Sequence, residues 1–147
     1  MKLASNKKVV LYSLYVPSEW VIAQSDAMTL AYVSEQNKSS VSVMQWNLTE
    51  DTKTIDLWWE NYHKKELQNT FDSFSVLEEG VEWTVDGISA KCYTYTVTIS
   101  GTTYKYLVTV VIDQGSLHAI TYTSTEALYD ETLPIVKDQI LANMKFN

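Results

Sequence analysis

From residue 88 onward the chain alternates apolar and polar side chains with the two-residue period of a β-strand, broken at short intervals by glycine-bearing turns. Tyr93, Tyr95, Val97 and Ile99 fall on one side of residues 88–100, and threonines fall on the other. Tyr104, Tyr106, Val108, Val110 and Ile112 share a side of the next segment, and residues 117–124 form another strand. Asp86-Gly87 is a strong two-residue hairpin signal, because both central positions of such a turn need positive φ. Gly101-Thr102 and Asp113-Gln114-Gly115-Ser116 supply the following turns. Successive hairpins of this kind commit the chain to a largely antiparallel sheet, and every other element must pack around it.

Upstream, residues 9–16 read as a strand with Val10, Tyr12, Leu14 and Val16 on one face and Val9, Leu11, Ser13 and Tyr15 on the other. Both faces are mostly apolar, which predicts a central strand covered on both sides. Pro17 ends it, because proline has no amide to give the ladder. Residues 20–23 and 29–33 read as strands parted by Ser25-Asp26, and residues 41–48 alternate after the loop Asn37-Lys38-Ser39-Ser40. Residues 74–77 and 81–85 read as two short strands separated by Glu78-Glu79-Gly80.

Two segments carry a helical period instead. In residues 54–69, Thr54 is the N-cap and Asp56 complements the positive end of the helix dipole. At 100° per residue, Ile55, Trp58, Trp59 and Tyr62 form one apolar stripe, which docks the helix on the sheet. Residues 133–144 form the closing helix, with Leu133, Val136, Ile140 and Met144 as its core stripe and Pro134 in its first turn. The expected fold is α+β, an antiparallel twisted sheet sandwiched by helices. It comprises a single domain over residues 9–147, preceded by a polar tether over residues 1–8.

The charge pattern narrows the function. The 147 residues carry a net charge of −7, and all 11 basic residues are lysine. Arginine is the usual bidentate partner of phosphate and of guanine edges. An acidic chain without it is poorly suited to nucleic acid or to anionic lipid. The single cysteine, Cys92, excludes an internal disulfide framework and a multi-cysteine zinc site. No apolar run approaches the ~20 residues of a membrane-spanning helix. The first residues lack the apolar core of a signal peptide, which fits either a cytoplasmic protein or a mature segment with an added methionine.

Several residues together resemble the PsbP-like family, whose fold is shared with the Ran-binding Mog proteins. They are the early strand running into Tyr15-Val16-Pro17-Ser18-Glu19-Trp20, the Trp58-Trp59 pair and the Val85-Asp86-Gly87-Ile88 turn with its Tyr/Val-rich strands. The strand Ile120-Thr121-Tyr122-Thr123-Ser124 and the ending Met144-Lys145-Phe146 complete the set. The resemblance implies an antiparallel sheet between helices and a non-catalytic, extracytoplasmic role, as in domains of bacterial envelope lipoproteins. Two departures stand out. No lipid-attachment cysteine precedes the domain, and nothing maps onto partner-binding regions of plant PsbP, so association with a photosystem or with Ran is not implied.

Few residues offer chemistry. Nucleophilic catalysis needs a nucleophile, a base and an orienting group. The two histidines are His63 on the first helix and His118 on a strand, and Cys92 reads as a buried structural thiol. Glu78, Glu79, Glu82 and Asp86 form the densest acidic group and read as a solvated hairpin end, since hard cations want six or more oxygens in a shaped loop. Asp130-Glu131 complements the dipole of the closing helix. One local conflict remains. Glu66 falls inside the apolar stripe of the first helix with His63 one turn earlier, and positions that break local rules are enriched in function. His63 and Glu66 are therefore the candidate partner- or ligand-binding residues. The expected function is that of a monomeric, non-enzymatic, cofactor-free envelope domain that binds or supports a protein or surface partner and meets the membrane only through a lipid anchor outside this chain. The alternative is a small-ligand carrier with an aromatic-lined pocket between sheet and helix.

Overall fold

The computed structural model of the protein describes residues 1–23 and 28–147. The turn expected at Ser25-Asp26 lies outside the described residues. The chain begins with short strands β1 (Lys2–Leu3), β2 (Tyr12–Ser13), β3 (Tyr15–Val16) and β4 (Val21–Ile22), followed by β5 (Thr29–Tyr32) and β6 (Ser40–Asn47). The first helix follows as α1 (Ile55–Trp58), a π-helical stretch (Trp59–His63) and α2 (Lys64–Thr70). Four long strands come next: β7 (Phe74–Val85), β8 (Ile88–Ile99), β9 (Thr102–Asp113) and β10 (Ser116–Thr125). The closing helix is α3 (Tyr129–Ile135), continued by a π-helical stretch (Val136–Leu141), and β11 (Lys145–Phe146) ends the chain.

Among the described residues, seven strands make one antiparallel sheet in the order β4-β5-β6-β10-β9-β8-β7. The hairpins turn at Asp86-Gly87, Ser100-Gly101 and Gln114-Gly115, and all six residues have positive φ. The second turn therefore sits one residue earlier than the sequence suggests. Asp, Ser and Gln tolerate the left-handed first position, and glycine takes the second without the Cβ clash that an L side chain meets there.

The sheet carries a core on each face. One face is lined by Tyr93, Tyr95, Val108, Val110, Leu117 and Ala119, over which Trp58, Trp59 and Leu67 of the first helix pack. The other joins Ala90, Cys92, Leu107, Val111, Ile120 and Tyr122 to Tyr129, Val136, Ile140, Leu141 and Met144 of the C-terminal helix region. The threonine side of β8 is accordingly not a solvent face throughout, since Thr94 and Cys92 are buried beneath α3. The α+β architecture of an antiparallel sheet between helices is the one expected.

Four local expectations are corrected. Residues 9–16 are not a central strand. Asn6 accepts the amides of Val9 and Val10 at 3.0 Å, which folds a turn there, and only β2 and β3 remain extended. Val10, Tyr12, Leu14 and Val16 do enter the core, but on the other face Val9 and Leu11 are about half exposed while Ser13 is buried, so that face is covered only in part. Residues 1–8 are not a free tether. β1 pairs with β3, Ala4 is buried, and the Ser5 hydroxyl donates to Tyr12 O and accepts the Leu14 amide. Residues 74–85 are one strand, not two, with register shifts around Glu78 that absorb the extra residues as bulges and Gly80 at positive φ. The closing helix starts at Tyr129, so Pro134 lies inside it rather than in its first turn. Its missing amide leaves the Asp130 carbonyl without a helical partner, and the π-helical stretch begins two residues later.

Candidate functional site

The π-helical stretch decides the fate of the predicted site. A π turn advances the chain by an extra residue relative to 3.6 per turn, so the buried stripe shifts phase. Trp58 consequently stacks on His63, five residues on, with ring centroids 4.5 Å apart and planes 13° from parallel. The Lys64 amide reaches the Trp59 carbonyl across the same five-residue step. From the end of the stretch onward, His63 is half-buried and Leu67 buried, while Tyr62 and Glu66 turn to solvent. The conflict at Glu66 is thereby removed. Its side chain is exposed and makes no hydrogen bond or ion pair among the described residues.

His63 instead belongs to an aromatic group over the sheet. Trp46 lies 5.3 Å from Trp58, and Trp59 stacks on Tyr93 at 4.3 Å. Burial lowers the His63 pKa to about 4, so the ring is neutral at physiological pH. The indole nitrogens of Trp58 and Trp59 and the Tyr93 hydroxyl are buried without a hydrogen-bond partner among the described residues. Burial likewise raises the Tyr93 hydroxyl pKa.

The remaining reactive groups lie apart from one another, and the buried His118 Nδ1 has no hydrogen-bond partner among the described residues. The Cys92 thiol is buried, lies 3.4 Å from the Thr109 hydroxyl, and is pushed up in pKa by desolvation. His118 is buried between Tyr12 and Phe146, with its pKa lowered by burial against the opposing effect of Asp113. The acidic group of the β7–β8 hairpin is dispersed. Glu79 pairs with Lys64 at 2.9 Å, and Asp86 accepts from the Phe146 amide at 2.9 Å and from Lys145. No group of three or more potential metal ligands converges among the described residues.

An open concavity lies at the β7–β8 hairpin, at the outer end of the sheet. A groove of about 790 Å3 is bounded by Trp83 and Ala90 with Lys137, Leu141 and Lys145 on the α3 side, and by Glu82 and Lys91 with Ile55 on the side of the first helix. A smaller hollow of about 220 Å3, bounded by Val81, Trp83, Cys92, Tyr129 and Leu133, also lies between β7 and α3. The closing helix covers β8 to β10 but leaves β7 uncovered, so Val81 is 43% and Trp83 40% exposed. Lys137 places its ammonium 5.0 Å from the Trp83 ring. The groove is lined by one tryptophan and several lysines, so it answers only in part to the aromatic-lined pocket expected of a carrier. Val81, Trp83 and Val85 alternate with Glu82 and Thr84 in the sequence, so the strip was visible there. What periodicity could not show is that the helix stops short of it.

Comparison with solved structures places the architecture. Cyanobacterial PsbP from Synechocystis superposes with a TM-score of 0.71 at 15% identity, over 99% of this chain and 92% of that one. The fold is PsbP-like. LpqN, described as involved in cell envelope biogenesis of Mycobacterium tuberculosis, gives a TM-score of 0.67 at 15% identity, over 92% of this chain and 83% of that one. The Ran-binding protein Mog1p of Saccharomyces cerevisiae gives 0.58 at 10% identity, over 83% and 78%. No protein-family model and no curated protein sequence matches the chain. At these identities the PsbP-like likeness fixes the arrangement of sheet and helices and assigns no residue a role. Within that PsbP-like frame the groove beside β7 is a broad concavity, and no hydrogen bond joins His63 to Glu66 among the described residues.

Proposed function

We propose that this chain is a non-catalytic, extracytoplasmic domain of the bacterial envelope that binds a protein partner through the uncovered strip of β7 and the adjoining groove. The observation that carries the reading is the exposure of Val81 and Trp83 on a sheet face whose neighbouring strands β8 to β10 are covered by the C-terminal helix region. A tryptophan left 40% exposed beside a concave surface is the kind of anchor that dominates protein interfaces. The compartment is supported by the likeness to LpqN, and a role in partner binding by the likeness to Mog1p.

Repeated capture from envelope extract on the immobilised chain tests this. One protein should recur, Trp83→Ser should lose it, and Tyr62→Ser, exposed over the other face, should retain it. Captures that find no recurrent protein, or are indifferent to position 83, overturn the reading. A second reading, a small-ligand carrier, is favoured by the volume of the groove, which matches that of small-molecule sites. A thermal-shift screen separates the two, because a ligand bound only by the folded chain raises its melting midpoint in the absence of any partner.

A further inference from the structure

We infer that the partner engages this domain as an extended, lysine-bearing segment that adds an eighth strand to the outer edge of β7 over residues 81–85. The inference rests on the partner-binding reading above and goes on to say what the partner looks like.

The two ends of the sheet are built differently. At one end β4 is two residues long and half-buried, which is how proteins commonly blunt an edge. At the other end β7 runs for twelve residues, and Val85 alone among them is buried. The bulges around Glu78 divide that edge. Beyond them the strand is regular, with Val81 opposite Cys92, Trp83 opposite Ala90 and Val85 opposite Ile88. Residues 81–84 are exposed on both faces of the sheet, and the outward main-chain groups of this stretch have no strand partner among the described residues. Such an edge is a template for strand addition, in which main-chain hydrogen bonds supply affinity and alternate side chains supply specificity.

Alternation then sets the sequence of the occupant. On the α3 side, side chains of an added strand would lie next to Val81 and Trp83. Those two are apolar, and Lys137 already supplies a cation over the Trp83 ring, so apolar partners fit there. On the opposite face the neighbour is Glu82. It makes no ion pair among the described residues, because its cross-strand neighbour Lys91 turns to Asp56 at 2.7 Å. A lysine between two apolar residues answers that pattern, since opposite charges across a strand pair stabilise it. β7 carries Glu78, Glu79 and Glu82 and no basic residue, on a chain of net charge −7. Two copies paired edge to edge would bring together strands that each carry three glutamates and no basic residue, so a second copy of this chain is a poor occupant.

Three synthetic ten-residue peptides test this: one alternating valine and lysine, one alternating valine and glutamate, and the first with alternate amides N-methylated. Amide hydrogen exchange and chemical shifts are followed by NMR on the intact chain. The valine–lysine peptide should slow exchange at residues 81–85 at least tenfold. Glu82→Lys, an exposed position whose change leaves the fold intact, should weaken that binding at least tenfold. Equal binding of the N-methylated peptide would show mere charge attraction, and equal binding of the glutamate peptide would remove the charge rule. Protection elsewhere, no protection by any peptide, or dimerisation through residues 81–85 would each overturn strand addition. If a partner still depends on position 83 while the peptides leave residues 81–85 unchanged, the partner-binding reading stands and the mode of engagement is wrong.

Discussion

His63 shows how one ring's surroundings set its chemistry. Stacked on Trp58 and desolvated, it has a pKa of about 4 in place of 6.5. A base whose folded pKa lies below its unfolded value is held neutral by the fold. Its contribution to stability is therefore complete above pH 6.5 and is lost as pH falls from there through about 4. His63→Phe keeps a ring in the stack and cannot titrate. The urea midpoint of the variant should fall less than that of the wild-type chain between pH 6.5 and 4. His118 is shifted in the same direction and remains in both proteins, so the difference between the two curves isolates His63. The phase shift of the helix is open to an equally local test. Leu67→Ala removes a buried side chain and should cost about 2–5 kcal/mol, whereas Glu66→Ala should change stability by less than about 0.5 kcal/mol, both read from chemical denaturation. Equal effects would restore the unshifted stripe.

Among the elements, the C-terminal strand β11 is held by few bonds. It pairs with β2, and Asp86 at the tip of the β7–β8 hairpin accepts the Phe146 amide and the Lys145 ammonium. These bonds favour the charged carboxylate, the Phe146 amide foremost, and lower the Asp86 pKa from 3.8. The stabilisation is thus present above pH 3.8 and is lost as pH drops below it. Asp86→Asn keeps a residue that tolerates positive φ while removing the charge. Hydrogen exchange at the Phe146 and Asn147 amides should quicken several-fold at pH 7, with little change in the global midpoint. The hairpin turns give a second element-scale test. Gly101 has φ +81° and nothing within 4 Å of where a Cβ would stand, so Gly101→Ala should cost about 1–2 kcal/mol through backbone strain alone.

For the whole molecule, the two cores share one sheet, so neither can dissolve without exposing the strands that floor the other. Trp20 reports the core beneath the C-terminal helix and Trp58 the core beneath the first helix. Single-tryptophan fluorescence at either position should therefore give the same unfolding midpoint, as two-state behaviour requires. Separate midpoints would show two independently melting layers. The two halves of the sheet are joined by the pairing of β6 with β10, between residues 69 to 83 positions apart, such as Val43 with Ile120. The buried contact between the Ser39 and Ser124 hydroxyls, 2.7 Å apart, lies in the same region.

Alternation and turn chemistry determined the long strands β8, β9 and β10 and the antiparallel class, and helical periodicity the presence of the two helices, because these depend on side chains within a few residues of one another. The stripe of Val136, Ile140 and Met144 was legible for the same reason. Tertiary structure decided what local pattern leaves free. Residues 9–16 have two apolar sides, and only packing selected the one to bury. The helix from Ile55 has an apolar stripe whose phase depends on a π-helical stretch that no propensity marks, so Glu66 passed to solvent and His63 into the stack. The groove beside Trp83 exists because α3 ends its coverage one strand short of the sheet edge. That is a matter of how far one layer extends over another, and the one-dimensional order of residues carries no measure of it.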